Sequence, residues 1–173
     1  MIEYRRPLLD EAETMASLHV QCWREAYTRF LPSELMSTFS TERRLPMWQS
    51  VIPNPERFVL AAYDEAKPVG FVICGLTEEK HIENQDGHLW AIYIASQYHR
   101  KGIGRELIAA AAIDWLAKGG KSITLGVLAE NINARLFYER MGARLVKTST
   151  YDWDGYNLAD AIYVFEDLTS LTP

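Results

Sequence analysis

The stretch from Tyr98 to Leu107 combines two glycines with basic side chains in a pattern suited to binding an anion. Gly102 and Gly104 stand between an apolar segment, residues 89–95, and an alanine-rich segment with helical periodicity. A helix N-terminus presents unpaired N–H groups and the positive end of the helix dipole, and glycines let a phosphate approach the backbone. The stretch also contains three cations: Arg100, Lys101 and Arg105. The sequence therefore predicts a phosphate- or pyrophosphate-binding turn, with an ordinary strand-to-helix connection as the alternative.

The common nucleotide-binding motifs do not occur at this turn. The pattern G-x-x-x-x-G-K-[ST] is missing, and Leu107 stands where the dinucleotide fingerprint requires a third glycine. These differences argue against a nucleotide-binding oxidoreductase.

Composition limits the class of protein further. The chain has 173 residues, 24% charged and 48% hydrophobic, which is typical of one globular domain, and we expect it to span residues 1–173. The net charge of −5 argues against nucleic-acid binding. Cys22 and Cys74 are isolated, so no zinc-ligand spacing exists and we expect no metal. The sequence has neither a signal peptide nor an apolar run near the ~20 residues of a membrane helix, so we expect a cytoplasmic protein without membrane binding.

The pattern of hydrophobic residues predicts a mixed α/β (α+β) fold with antiparallel hairpins. One right-handed crossover joins the strands at 88–95 and 122–128, which are expected to be parallel. An aromatic, acidic loop is expected between Tyr151 and Ala161. The predicted strands span residues 2–6, 57–63, 69–76, 88–95, 122–128, 143–151 and 161–168. The predicted helices span residues 10 to about 30, 33–39, 41 to beyond 48, 102–118 and 131–141.

Three segments, taken together, resemble the GCN5-related N-acetyltransferases. The strongest runs from Trp90 to Gly104, the second is Asn131–Ala143, and the third joins Trp23–Tyr27 to Leu31–Pro32. The resemblance covers nearly the whole chain. It implies the GNAT-like acyl-CoA N-acyltransferase fold: a mixed, mostly antiparallel central sheet with a splayed parallel pair and flanking helices. Many relatives are dimers, so a homodimer is one expected state.

The resemblance also implies acetyl-CoA as co-substrate. Backbone groups of Ile92 and Ile94 would pair with the pantetheine arm as an added strand does, and His99 stands where the family usually has Gln or Arg. Asn131 matches an asparagine that bonds the pantetheine arm, although it also suits a helix N-cap. The residues expected to bind acetyl-CoA are Ile92, Tyr93, Ile94, His99, Arg100, Lys101, Gly102, Ile103, Gly104, Arg105, Asn131, Asn133 and Arg135.

Acetyl transfer to an amine requires a neutral amine, stabilisation of the carbonyl oxygen and a proton for the leaving thiolate. Tyr138 matches the family's tyrosine that faces the thioester sulfur, so the resemblance makes it the general acid. His88 is a candidate general base, because a histidine has a suitable pKa and His88 shares strand parity with Trp90. Glu83 and Asp86, acting through water, are alternatives.

Aromatic and acidic side chains are the candidates for contacting the acceptor. Trp23, Tyr27 and Phe30 recur along the first helix, while Trp153 and Asp154 lie in the expected acidic loop. Aromatic faces and carboxylates together suit a cation, which favours a small-molecule primary amine such as a polyamine or an amino compound with an apolar body. The alternative is that the aromatics are core residues and the aspartates a solvated turn. A peptide or protein N-terminus as acceptor, and a non-catalytic acyl-CoA-binding module, are the alternative functions.

Overall fold

The computed structural model describes residues 1–77 and 87–172. Its strands are β1 (Ile2–Arg5), β2 (Arg57–Asp64), β3 (Lys67–Gly75), β4 (Gly87–Ile94), β5 (Ile123–Leu128), β6 (Arg144–Trp153) and β7 (Tyr156–Phe165). Its α-helices are α1 (Ala12–Tyr27), α2 (Ser33–Thr38), α3 (Thr41–Val51), α4 (Ile103–Ala117) and α5 (Ile132–Arg140). The strands form a mixed, mostly antiparallel sheet in the order β1-β2-β3-β4-β5-β7-β6, with β4 and β5 parallel. This confirms the predicted fold class.

The chain divides into two compact units. The first comprises Met1–Ile73 and Ala91–Ile108, and the second comprises Cys74–Trp90 and Ala109–Pro173. Strand β4 and helix α4 each contribute residues to both units. The single domain expected from the sequence remains a prediction.

The core of the first unit packs one face of α1 against α3 and the inner strands. Met15, Leu18 and Cys22 recur at helical spacing and are buried, as the sequence predicts. They join Trp48 of α3 and Phe71 of β3 in one apolar cluster. Each such side chain contributes about 1.5–3 kcal/mol when it is fully buried.

The sequence also predicts that Asp10 and Glu13 form a capping-box-like pair at the start of α1. This prediction is wrong: α1 begins at Ala12, and Glu11 accepts the backbone N–H of Leu8 at 2.7 Å. The Glu11 carboxylate also binds the Arg5 guanidinium through two hydrogen bonds of 2.7 and 2.8 Å. A short 3-10 turn, Leu9–Glu11, precedes the helix and shifts the capping position.

The second unit contains a long hairpin where the sequence predicted a loop. Strands β6 and β7 pair antiparallel up to Trp153↔Tyr156 and are joined by Asp154 and Gly155 alone. Both turn residues have positive φ, 49° and 85°, as the tightest hairpin turns require. The predicted acidic loop between Tyr151 and Ala161 is therefore wrong, and β7 begins at Tyr156 instead of residue 161.

The parallel ladder between β4 and β5 is short. It comprises the pairs Gly87↔Ile123, His88↔Thr124 and Leu89↔Leu125. Strand β4 nevertheless continues to Ile94 and β5 to Leu128. The sequence predicts parallel pairing between these two strands, and the structure shows it for these three residue pairs.

None of the helices in residues 1–77 and 87–172 is both long and apolar enough to span a membrane. Those residues likewise contain no group of three or more His, Cys, Asp or Glu side chains placed to hold a metal ion. The absence of a metal remains a prediction.

Candidate active site

The turn between β4 and α4 has the backbone shape of an anion-binding loop. Arg100 and Gly102 have φ values of 60° and 85°, so two residues of the turn have a left-handed backbone conformation before the helix begins. The first helical bond runs from the Glu106 N–H to the Gly102 carbonyl at 3.1 Å. The N–H groups in front of it, at residues 103–105, belong to the first turn of the helix and have no intrahelical acceptor.

A glycine is needed at position 102 because of its positive φ, and not because a side chain would clash with a neighbouring group. A Cβ at this position would meet no heavy atom within 4 Å, but its φ lies in the region that side chains disfavour. Open space in front of a helix N-terminus is what a bulky phosphate requires. The three cations Arg100, Lys101 and Arg105 are exposed around the turn. These residues fit the pyrophosphate of a coenzyme.

Side chains hold the loop in place from within the first unit. His99 donates its Nε2–H to the Ile94 carbonyl at 2.8 Å. The Tyr98 hydroxyl donates to Asp64 at 2.8 Å, which raises the pKa of Tyr98, and the ammonium of Lys101 lies 4.6 Å from the Tyr98 ring centroid. The Ser96 N–H donates to the Glu25 carboxylate at 2.8 Å. His99, for which sequence gave no side-chain role, is therefore a brace between the loop and β4.

The residues at the end of β4 are half-buried. Ile92 and Ile94 lie beyond the parallel ladder, where the resemblance places the pantetheine arm. The Tyr93 ring instead packs inward, 5.2 Å from the His19 ring and 5.8 Å from that of Phe71. Tyr93 can therefore contribute its backbone to a ligand, while its side chain belongs to the core of the first unit.

Helix α5 presents Tyr138 in the second unit. Tyr138 is 7% exposed and its ring centroid lies 6.4 Å from that of Tyr163. The side chain of Asn131 accepts the Ala134 N–H at 3.2 Å, so the helix-cap interpretation of Asn131 is confirmed, whereas its predicted contact with the pantetheine arm stays a prediction. Asn133 is exposed.

Arg135 belongs to a hydrogen-bond network inside the second unit. Its guanidinium donates to the Tyr163 hydroxyl and the Ala129 carbonyl, each at 3.0 Å. The Tyr163 hydroxyl donates in turn to Glu139 at 2.6 Å. The bond with Tyr163 raises the pKa of Arg135. This network gives Arg135 a structural role, whereas its assignment to the coenzyme phosphates depends on the resemblance alone.

His88 is held at the start of β4. Its Nδ1 lies 2.8 Å from the Thr124 hydroxyl on the adjacent strand. The Thr124 hydroxyl also donates to the Gly87 carbonyl at 3.2 Å, and Thr124 is fully buried. The ring of Trp90 lies edge-on to His88 at 5.8 Å. The alternative bases Glu83 and Asp86 lie outside the described residues.

The predicted acceptor residues of the first helix differ in exposure. Trp23 is 1% exposed and stacks on Phe39 at 4.0 Å, which places it in the core. Tyr27 is also buried, with its hydroxyl 3.3 Å from that of Tyr93. Phe30 follows α1 and is 38% exposed, so it is the one of the three that a ligand can reach directly.

A surface pocket of about 400 Å³ opens beside these residues, where α1 ends and α2 begins. Its lining is formed by Arg24, Thr28, Leu31, Ser33, Met36 and Ser37. The aromatic residues predicted to contact the acceptor do not line it.

The hairpin residues Trp153 and Asp154 have separate roles. Trp153 pairs with Tyr156 across the hairpin, and its ring lies edge-on to Tyr151 at 5.9 Å. Asp154 occupies the turn itself with positive φ, a conformation that aspartate tolerates better than most residues. The structure thus gives Asp154 a turn-forming role in addition to the predicted contact with the acceptor.

Sequence reasoning missed the relationship of Asp160 and Gly126. The strand register Leu128↔Asp160 and Gly126↔Ile162 puts both residues on one face of the sheet, which also carries Thr124. A Cβ built on Gly126 would lie 2.9 Å from a carboxylate oxygen of Asp160. The carboxylate therefore leans over Gly126 in the direction of Thr124. The signal was a glycine inside a buried strand, which often marks close approach of another group.

The family model described as acetyltransferase (GNAT) family matches residues 13–143. The uncharacterized N-acetyltransferase YuaI of Bacillus subtilis is 27% identical over 172 residues, covering 99% of this chain and 96% of that protein. The spermine/spermidine N(1)-acetyltransferase of the same organism is 34% identical over 84 residues, 46% of this chain and 55% of that protein.

The fold is also similar to that of solved acetyltransferases. The PaiA N-acetyltransferase from Thermoplasma acidophilum, solved in complex with coenzyme A, superposes with a TM-score of 0.69 at 21% identity. The match covers 96% of this chain and 99% of that one. The chain belongs to the acetyltransferase (GNAT) family. It is an acetyl-CoA-dependent N-acetyltransferase.

Proposed function

We propose that this enzyme transfers the acetyl group of acetyl-CoA to the primary amine of a small molecule by direct attack. The observation that carries the proposal is the loop between β4 and α4. Two of its residues, Arg100 and Gly102, have left-handed backbone conformations, and the 15-residue helix α4 follows directly. The first N–H groups of this helix and the neighbouring cations suit a pyrophosphate. A relative of similar fold that was solved with coenzyme A supports this assignment.

Acetyl-CoA supplies the reactive thioester, and the protein supplies a proton donor and a proton acceptor. We assign the donor to Tyr138, since a phenol is a suitable acid toward a departing thiolate. We assign the acceptor to His88, whose imidazole is the group most easily matched to neutral pH. His88 would keep the attacking amine neutral, which is essential because an ammonium has no lone pair.

The acceptor is proposed to be a small amine that carries more than one cationic or polar group. The name of the related spermine/spermidine N(1)-acetyltransferase gives polyamines as its substrates. The net charge of −5 of this chain favours the approach of a cationic acceptor. Trp153, Asp154 and Asp160 of the second unit would contact the acceptor. Of the aromatic residues predicted in and after the first helix, Trp23 and Tyr27 are buried, so they would support the fold without touching the ligand, and the contact of Phe30 with the acceptor remains a prediction.

The experiment that tests the proposal is an amine panel with acetyl-CoA. The panel contains spermidine, spermine, short diamines, amino acids and peptides with free N-termini, with release of thiol and the mass of the product as the two readouts. Acetylation of small amines with weak or no transfer to peptides supports the proposal. Transfer to peptides alone favours an N-terminal acetyltransferase, whereas binding of acetyl-CoA without any transfer favours a non-catalytic module.

The cytoplasmic location and the homodimer remain predictions. Cell fractionation and sedimentation velocity test them independently of the amine panel.

A further inference from the structure

We propose that Thr124 is a positioning residue, which fixes the tautomer of His88 so that the basic lone pair lies on Nε2. The inference rests on the proposed function, in which His88 accepts the proton of the attacking amine. The atom that accepts the proton is then Nε2, and Thr124 determines this.

The hydroxyl of Thr124 has a single proton to share between two neighbouring groups. The hydroxyl has one proton and two lone pairs, and it lies 3.2 Å from the Gly87 carbonyl and 2.8 Å from His88 Nδ1. A carbonyl oxygen only accepts hydrogen bonds, so the hydroxyl proton points to Gly87. The hydroxyl oxygen can then only accept from His88. The ring therefore carries its proton on Nδ1, and the neutral imidazole keeps its lone pair on Nε2.

The position of the hydroxyl is fixed by the strand pairing. Thr124 pairs with His88 in the middle of the three-pair parallel ladder, so the two side chains emerge from neighbouring strands on the same face. Thr124 is 0% exposed, and β-branching restricts its χ1 angle. Water cannot easily take the place of a hydroxyl at a fully buried position. The sheet thus sets the orientation of the hydroxyl before any ligand arrives.

The arrangement suits a group that gains and loses a proton. When Nε2 takes up a proton, the ring becomes an imidazolium with donors on both nitrogens. The bond from Nδ1 to Thr124 is present in both states, so proton uptake requires no rearrangement of the sheet. A partner that fixes the tautomer and orientation of a catalytic imidazole is a common requirement of general-base chemistry.

The direct test is the ring 15N spectrum of the histidines near pH 8, above the usual histidine pKa of about 6.5. The two tautomers give different patterns of 15N shifts. We expect neutral His88 to carry its proton on Nδ1. His99 is an internal reference, because its bond to the Ile94 carbonyl requires the proton on Nε2. Loss of single signals in His88→Gln and His99→Gln assigns them. A wild-type His88 protonated on Nε2 overturns the inference without the need for any Thr124 variant.

Two substitutions of Thr124 then test its effect on catalysis. Thr124→Val keeps the shape and removes the hydroxyl, while Thr124→Ser keeps the hydroxyl and serves as the matched control. With an amine that the wild type acetylates, we expect kcat to fall about 10- to 100-fold in Thr124→Val. This is less than the roughly 100- to 10,000-fold contribution of a general base, because the imidazole of His88 is still present in the variant. Thr124→Ser should keep the wild-type tautomer and most of the activity. Circular dichroism establishes that both variants are folded.

The outcomes separate this inference from the proposed function. If no amine is acetylated, the proposed function fails, but the wild-type spectrum still reports the tautomer. If the tautomer of His88 changes in Thr124→Val and kcat stays at the wild-type value, the positioning role is overturned. An equal loss of kcat in Thr124→Ser would also overturn it, because the hydroxyl is retained there.

Discussion

The Nε2–H of His99 donates to the carbonyl oxygen of Ile94 at 2.8 Å, five residues earlier in the chain. The bond closes the start of the anion loop onto the strand that precedes it. His99 thus replaces the family's usual Gln or Arg with a side chain that braces the backbone. A glutamine side chain also carries an N–H donor, so the brace does not require a histidine as such.

We therefore expect His99→Ala to weaken the binding of acetyl-CoA and His99→Gln to preserve it. Loss of one hydrogen bond in a partly exposed loop is worth about 0.5–1.5 kcal/mol, or roughly 2- to 10-fold in the dissociation constant. Isothermal titration calorimetry measures both variants. Equal affinities in His99→Ala and the wild type would show that the brace does not support the binding loop.

Gly102 and Gly142, two of the four glycines with positive φ among the described residues, allow a matched comparison. Each has open space around its missing Cβ and a φ of 85° or 92°, so an alanine is strained at both positions and clashes at neither. The cost in stability is about 1 kcal/mol in each variant. Only Gly102 lies in the anion loop, whereas Gly142 follows α5. We expect Gly102→Ala to weaken acetyl-CoA binding and Gly142→Ala to leave it unchanged.

Denaturant titration and binding measurements on the same two variants check this expectation. Similar losses of affinity in both would attribute the effect to general destabilisation. A bulkier change inside the loop, Gly104→Val, should weaken binding more, because the side chain blocks the approach of a phosphate to the backbone. Undiminished binding in Gly104→Val would remove the coenzyme from this loop.

Tyr138→Phe is expected to lower kcat about 10- to 1,000-fold with little change in the affinity for acetyl-CoA. The ring stays and only the hydroxyl proton is lost, so the effect is confined to the transition state. Tyr163→Phe is the control, because its hydroxyl bonds Arg135 and Glu139 within the same unit. The control should lower stability and keep most of kcat. Stopped-flow detection of thiol release measures both, and wild-type turnover in Tyr138→Phe would exclude it as the acid.

Most element boundaries were predictable, because they follow from local chemistry. The apolar run of β5 and the glycines after α4 and α5 mark their limits in the sequence, and the structure agrees to within a residue or two. The hairpin β6–β7 was missed, although Asp154-Gly155 is a strong signal for a two-residue turn. None of the residues 152–160 beside the turn is buried, so the segment has no apolar run that would indicate a strand.

The candidate site was predictable only where a motif carries it. The loop glycines and Tyr138 stand in recognisable segments, whereas the bonds of His88 and Arg135 join residues 28 to 36 positions apart. No local pattern predicts which threonine of a buried strand meets a histidine on its neighbour. The aromatic spacing of Trp23 and Tyr27 was equally compatible with core and pocket, and burial decides the matter for Trp23.

His19 makes the stability of the fold sensitive to acid. The side chain is buried among aromatic rings, and Nδ1 has no hydrogen-bond partner among the described residues. Burial, with a smaller effect of Arg44, lowers the pKa of His19 to about 3. Between pH ~6.5 and 3, His19 therefore binds a proton in the unfolded chain but not in the folded chain. Stability is fully present above pH ~6.5 and falls as the pH decreases toward 3.

We expect the free energy of unfolding to fall by about 2 kcal/mol from this group between pH 6.5 and 4.5. Above about pH 4.5, Glu11 does not affect this pH dependence. Its bond with Arg5 is the main reason that its pKa is lowered to about 2, so its contribution to the free energy of unfolding is lost only below about pH 4.5. Urea unfolding of His19→Leu should show a shallower dependence on pH than the wild type. His99→Gln, at an exposed histidine, is the control, and an unchanged slope in His19→Leu would contradict the assignment.

The last prediction concerns the acceptor and the face of the sheet that carries Asp160. Across β6 and β7, the register places Trp153 on the same face as Asp160, because Ser149↔Asp160 and Trp153↔Tyr156 are separated by an even number of residues. Asp152 lies on the opposite face, where it pairs with Asn157 and accepts the Gly155 N–H at 3.3 Å. Asp152 is therefore an acidic control within the same hairpin.

We expect Asp160→Asn to raise the KM for the amine about 10- to 100-fold, since a charge-assisted hydrogen bond is worth about 1.5–3 kcal/mol. Trp153→Ala should also raise it, through loss of an aromatic face beside the cation. Gly126→Ala would push against the Asp160 carboxylate, 2.9 Å away, and should have the same effect without removing the charge. Asp154→Asn removes the charge of Asp154 but preserves the hairpin turn, because asparagine also tolerates the positive φ of this position.

Steady-state kinetics with the best amine of the panel and saturating acetyl-CoA measure all five variants. Asp152→Asn should match the wild type, since its remaining amide oxygen still accepts the turn N–H. A KM unchanged by Asp160→Asn and Trp153→Ala would show that the acceptor does not use this face. A rise of equal size in Asp152→Asn would attribute the effect to the net charge of the chain, because a general field does not distinguish the two faces of a strand whereas a bound ammonium does.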